Sequence, residues 1–117
     1  QDPGLLYQLN APLSLEGREL GLKNVYISPI RFVFHLEACD PTMDALHKGA
    51  ESISLTLEDG SVVKMAQGIF SASADQTGET GDCRVLFQPE KLVNPHEVVS
   101  VTLYGQTFSL EGLTPAD

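Results

Sequence analysis

The chain has no tryptophan, only two cysteines, and 7 Lys and Arg residues against 16 Asp and Glu. Each shortage closes off a class of protein. With five Phe and three Tyr as the only aromatic residues, any core must be mainly aliphatic. A net charge of −9 repels phosphate backbones, which argues against nucleic acid as a partner, and it disfavours direct adhesion to anionic lipid. The same charge serves as a solvated surface that keeps the domain in solution. Two cysteines far apart in the chain, without a Cys-x-x-Cys or His-x-x-x-His pattern, do not suggest a metal site. No apolar run approaches the roughly 20 residues needed to span a membrane. The opening Gln1-Asp2-Pro3-Gly4 lacks the basic start and apolar stretch of a signal peptide and reads as the cut edge of a longer protein. Any membrane anchor is therefore expected outside these 117 residues.

What is present is alternation. Ile30, Phe32, Phe34 and Leu36 form one apolar face, with Arg31, His35 and Glu37 on the other. Ile53, Leu55 and Leu57 alternate with Ser54, Thr56 and Glu58, and Val85 and Phe87 with Arg84 and Gln88. Val99, Val101 and Leu103 alternate with Ser100, Thr102 and Tyr104. A period of two predicts strands with one face in a core and one in water.

The breaks between these runs predict their connections. Asp59-Gly60 suits a two-residue type I′ turn pairing 52–58 with 61–67. Gly105-Gln106 suits a type II′ turn pairing 98–104 with 107–111. Pro29 cannot donate to a ladder, so a bend or sheet switch is expected there in place of one long strand from Leu22 to Leu36. Asp40-Pro41 can start a helical turn through Leu46 that stops near Gly49. Asn94-Pro95-His96-Glu97 has the cap, the proline and the acid of another such turn, leading into the strand from Val98 as a corner between sheets. Residues 71–82, rich in Ser, Asp, Thr and Gly, read as an exposed loop. About seven short strands in a chain of this length predict one all-β domain, an immunoglobulin-like two-sheet sandwich. Residues 1–19 are a lead-in or edge strand, 20–111 the sandwich and 112–117 a tail.

Val25-Tyr26-Ile27-Ser28-Pro29-Ile30 opens a series that continues with Leu57-Glu58-Asp59-Gly60-Ser61 and Phe87-Gln88-Pro89. It ends with Val98 through Gly105 and Phe108-Ser109-Leu110. In this order, across most of residues 20–110, they resemble the extracytoplasmic C-terminal domain of membrane-bound anti-sigma factors of Gram-positive bacteria. The resemblance implies an immunoglobulin-like fold. It also implies a single-pass membrane protein with a cytoplasmic segment that holds a sigma factor and this domain on the outer side. The role it implies is sensing or protein contact, and it carries over no catalytic or ligand-binding residue.

No catalytic, cofactor-binding or metal-binding residue is assigned from the sequence, and no cofactor is expected. There is no Gly-x-Ser-x-Gly elbow, phosphate loop or dinucleotide motif. His35, His47 and His96 fall in three different elements and read as surface residues. Asp75, Glu79 and Asp82 could offer oxygens to calcium, yet their spacing is not that of an EF-hand and an acidic loop is ordinarily just solvated. Tyr7, Tyr26 and Tyr104 could form a platform for sugar, or serve as cross-strand packing partners. The expected function is a non-enzymatic sensory or interaction domain whose partner is an extracytoplasmic protein or cell-envelope ligand. The alternative is a carbohydrate- or cell-wall-binding module of a secreted protein.

Cys39 and Cys83 either form a disulfide, worth roughly 4 kcal/mol for a loop of this length, or remain two thiols packed as small apolar residues. Thiol titration of unfolded, unreduced protein prepared under oxidising conditions separates the two. Few reactive thiols indicate the bridge, and two indicate its absence.

Overall fold

The alternating runs form an antiparallel sheet in the computed structural model, which describes residues 4–15, 17–37, 52–74 and 83–113. Eight strands appear among these residues: β1 (Leu5–Leu15), β2 (Arg18–Ile27), β3 (Phe32–Glu37), β4 (Ser54–Leu57), β5 (Val62–Ala74), β6 (Cys83–Pro89), β7 (Val98–Leu103) and β8 (Gln106–Ser109). Their spatial order is β1-β2-β3-β6-β5-β4-β7-β8. The expected all-β class is what the chain adopts. Strands β4, β5 and β6 follow one another as neighbours and β7 returns beside β4, which is a Greek key.

The two layers expected of a sandwich are continuous through β5. Its first residues pair with β4, Val62 opposite Thr56, and its last pair with β6, Ala74 opposite Cys83. Between Met65 and Phe70 the β5–β6 register shifts, so the strand turns from one layer into the other there. The two edges then meet. The Gln106 side chain accepts a hydrogen bond from the Ser14 amide (3.1 Å) and donates one to the Ser14 carbonyl (2.5 Å). One carboxamide thus gives a residue of edge strand β1 the pair of bonds a neighbouring strand would supply.

The interior is aliphatic around a small aromatic group. Phe34 stacks on Phe87 (6.0 Å, 16°), tilts against Phe32 (5.5 Å, 46°) and makes a T-shaped contact with Tyr104 (6.1 Å, 79°). The predicted core residues Ile53, Leu55, Val101 and Leu103 are fully buried, as are Val85 and Leu36. Three expected positions differ. Leu57, the last residue of β4 and beside a register shift, is only half-buried. Val99 is only half-buried and Val98 faces the core, because Thr56 pairs with Ser100 but Leu57 with Val98, leaving Val99 as the extra residue of a bulge. Ile30 is 53% exposed, because it lies in the turn before β3 and outside the strand itself.

The turns also differ in detail. At Pro29 the chain reverses completely: Ser28 and Arg31 exchange backbone hydrogen bonds across Pro29-Ile30 (2.8 and 3.5 Å). After β4 the loop has three residues, not two. The Gly60 amide bonds to the Leu57 carbonyl and the Leu57 amide to the Ser61 carbonyl (both 2.9 Å), and Gly60 has φ 88° while Asp59 does not enter the positive region. That is a type I turn closed by a left-handed glycine. The Asp59 carboxylate accepts from the Ser61 amide (2.9 Å) and hydroxyl (2.6 Å), and these bonds hold its pKa below the ordinary value. After β7 the loop is Tyr104-Gly105, with φ 52° and 84°, and Leu103 pairs with Gln106. Two positive φ values make it type I′ in place of type II′.

The Asn94 turn forms as expected. Its side chain accepts from the His96 amide (3.0 Å), and a single 3₁₀ turn, Pro95–Glu97, leads into β7. Residues 71–74, expected in a loop, instead extend β5 and pair with β6. Ladder bonds are made by the backbone, so the small residues Ser71, Ala72, Ser73 and Ala74 carry no apolar period to announce them. The proposed helical turn from Asp40 to Leu46 lies outside the described residues. No helix among the described residues is long and apolar enough to cross a membrane.

Two substitutions test this account. A Cβ at Gly60 would meet nothing within 4 Å, so Gly60→Val probes backbone torsion alone. It should lower stability by at least about 1 kcal/mol, read as a reduced urea midpoint. Gln106→Ala should cost about 1 kcal/mol and speed hydrogen exchange of the Ser14 amide. Unchanged exchange would mean that the carboxamide does not hold the two edges together.

Candidate functional site

With one face of the sheet committed to the core, any site must lie on the outer face, at the ends or in the loops. On the outer face of β1, β2, β3 and β6 the ladder aligns two rows. Leu6 lies opposite Tyr26, Tyr26 opposite Val33, and Val33 opposite Leu86. The next row runs Gln8, Asn24, His35 and Arg84. Outer faces of antiparallel sheets are ordinarily polar at alternate positions, so an apolar row beside a polar one departs from pattern.

A concavity of about 390 Å³ covers these rows, lined by Leu6, Asn24, Tyr26, Val33, His35, Arg84, Leu86 and, at its rim, Arg31. All except the two arginines are half-buried. Among the described residues no Asp or Glu lines it, and it holds two of the chain's 7 Lys and Arg residues. Against a net charge of −9 this is a locally positive hollow on an acidic molecule.

Several local features hold the lining in place. The Ser28–Arg31 exchange and a bond from the Val93 amide to the Pro29 carbonyl (3.1 Å) fix the turn from which Arg31 projects. The Tyr26 ring lies directly over Gly4, where a Cβ would overlap the phenol. Beside the polar row, Leu9 and Asn10 of β1 and Lys23 of β2 fall between ladder pairs. Asn10 has φ 50°, a conformation Asn tolerates better than most residues. These bulges curl the sheet next to the hollow.

A second hollow of about 420 Å³ lies beyond the bulges, over Pro12, Gly21 and Leu22, with Glu19 and Glu37 in its lining. The Glu37 side chain covers Gly21. Two acidic residues in open water give it no distinctive chemistry.

The residues singled out from the sequence are scattered. Tyr7 points into the core, Tyr26 outward, and Tyr104 sits in the β7–β8 turn against Phe34, so the three form no common platform. Their positions alternate in face or belong to different layers, which spacing along the chain does not reveal. His35 is half-buried in the hollow, more than a plain surface residue would be, and His96 is exposed. Cys83 is buried opposite Leu36, while Cys39 lies outside the described residues, and the disulfide question with it. His47, Asp75, Glu79 and Asp82 also lie outside them. Among the described residues no group of three or more His, Cys, Asp or Glu is placed to hold a metal.

The outer row of Leu6, Tyr26, Val33 and Leu86 is not apparent from the sequence alone. The signal was there in Val33 and Leu86, apolar residues at the polar phase of their strands, but only the register shows that they are neighbours. The β1–β2 hairpin is a second such feature. Leu13 and Leu15 alternate, as do Leu20 and Leu22, and Gly17 between them takes φ 80° where Leu15 pairs with Arg18. No protein-family model matches the chain, and no curated protein or solved structure is significantly similar to it.

Proposed function

We propose that this domain is a non-enzymatic recognition module. On this reading it is the extracytoplasmic sensory or protein-interaction part of a membrane-bound anti-sigma factor that regulates transcription. Support for recognition comes from the outer-face concavity, where the hydrogen-bond ladder of four strands presents apolar and cationic groups in fixed rows. Support for the signalling context comes from the resemblance across residues 20–110. A rigid sheet suits this work, since binding then costs little ordering of the receptor. The alternative of a carbohydrate- or cell-wall-binding module has less behind it. Of the three tyrosines only Tyr26 lines the concavity, and a sugar platform ordinarily needs a broader aromatic surface.

The decisive experiment is deletion of residues 20–110 from the full-length protein. The response to inducing conditions should be lost while the cytoplasmic segment still represses its sigma factor. An unaltered response to every inducing condition would leave the domain a spacer. The isolated domain should in addition show no hydrolysis of peptide, ester, phosphate or glycoside substrates.

A further inference from the structure

We propose that the outer-face concavity binds a small amphiphilic carboxylate. Its charged end meets Arg84, His35 and Asn24, and its apolar body lies on Tyr26, Val33 and Leu86. This rests on the recognition reading above and names the ligand class for that site.

The size of the hollow selects the kind of ligand. About 390 Å³ falls within the range of roughly 300–1,000 Å³ usual for small-molecule pockets. A folded protein partner would instead need about 800 Å² of contact on each side, mostly beyond this hollow. The two rows select its polarity. The apolar row is half-buried and would gain from further covering, while the adjacent row offers a guanidinium, an imidazole and an amide side by side. A ligand that satisfies both must be apolar along one stretch and polar at one end.

Charge selects the head group. A hollow with two arginines and no carboxylate among its described lining residues calls for an anion. The planar fork of Arg84 matches the two oxygens of a carboxylate. A phosphate monoester carries up to twice the charge and is repelled correspondingly more strongly by a molecule of net charge −9. Arg31 stands at the opposite rim, four residues from His35 and therefore about 13 Å away along an extended chain. At that distance, beyond the Debye length of about 8–10 Å at ordinary ionic strength, it does not compete for the head group.

The test uses octanoate and 4-phenylbutyrate against the intact 117-residue domain, with octanol and inorganic phosphate as the neutral and purely anionic counterparts. Amide chemical shifts should move saturably at Tyr26, Val33, His35 and Leu86 with at least one of the carboxylates. Octanol and phosphate should bind at least tenfold more weakly. Arg84→Gln, at an exposed position, should weaken carboxylate binding about tenfold. Gly4→Ala, which displaces the Tyr26 ring, should alter affinity while the thermal midpoint stays nearly unchanged. The assignment is overturned if neither carboxylate binds, if phosphate binds as tightly, or if Arg84→Gln binds as well as the parent. Any of these would leave the broader recognition reading standing, because that reading fails only if the response survives deletion of the domain.

Discussion

Phe34 joins the two layers of this domain. It sits on β3 in one half of the sheet, stacked on Phe87 of β6, and makes a T-shaped contact with Tyr104 from the β7–β8 turn of the other half. That contact bears on a strained element. Tyr104 has φ 52°, which costs an L-residue about 1–2 kcal/mol, while burying a large aromatic surface returns a comparable amount or more. The turn held in this way sets the register in which Leu103 faces Gln106. From that position the Gln106 carboxamide reaches Ser14 and joins the last strand to the first. A single aromatic packing site thus links layer contact, turn conformation and edge protection, three matters that are usually managed separately.

The outer concavity follows from the same geometry. Burying Phe32, Phe34 and Leu36 forces Val33 and His35 outward, and burying Val85 and Phe87 does the same to Leu86 and Arg84. The register then places Val33 against Leu86 and His35 against Arg84. Pleat parity explains why these side chains face outward, but not why two of them are apolar. The proposed recognition of an amphiphilic ligand uses a surface whose layout the core has already imposed.

Much of the fold was legible in the chain. Strands β3, β4, β6 and β7 were marked by alternation, and the Asn94 turn by its cap and proline. The errors were local. The hairpin turns are not fixed by the local sequence, because Asp59-Gly60 and Tyr104-Gly105-Gln106 each allow more than one closure and neighbouring contacts choose among them. Alternation puts Val99 in the core in place of Val98, since a bulge shifts pleat phase without changing composition. Residues 71–74 carry no strand signal of their own because they owe their strand to pairing with β6.

Alternation by itself determined that this is an all-β protein with an aliphatic core, since only a pleated strand turns a period of two into one apolar face. Composition determined that its surface is acidic, since ionised carboxylates outnumber cations whatever the fold. Neither could say which strand lies beside which. Partners in this sheet are often distant in sequence, and the bonds joining them are made by backbone groups that every residue carries alike. Only the tertiary structure therefore decided that β5 serves both layers, that Gln106 meets Ser14, and that Tyr26, Val33 and Leu86 stand in one row beside Arg84.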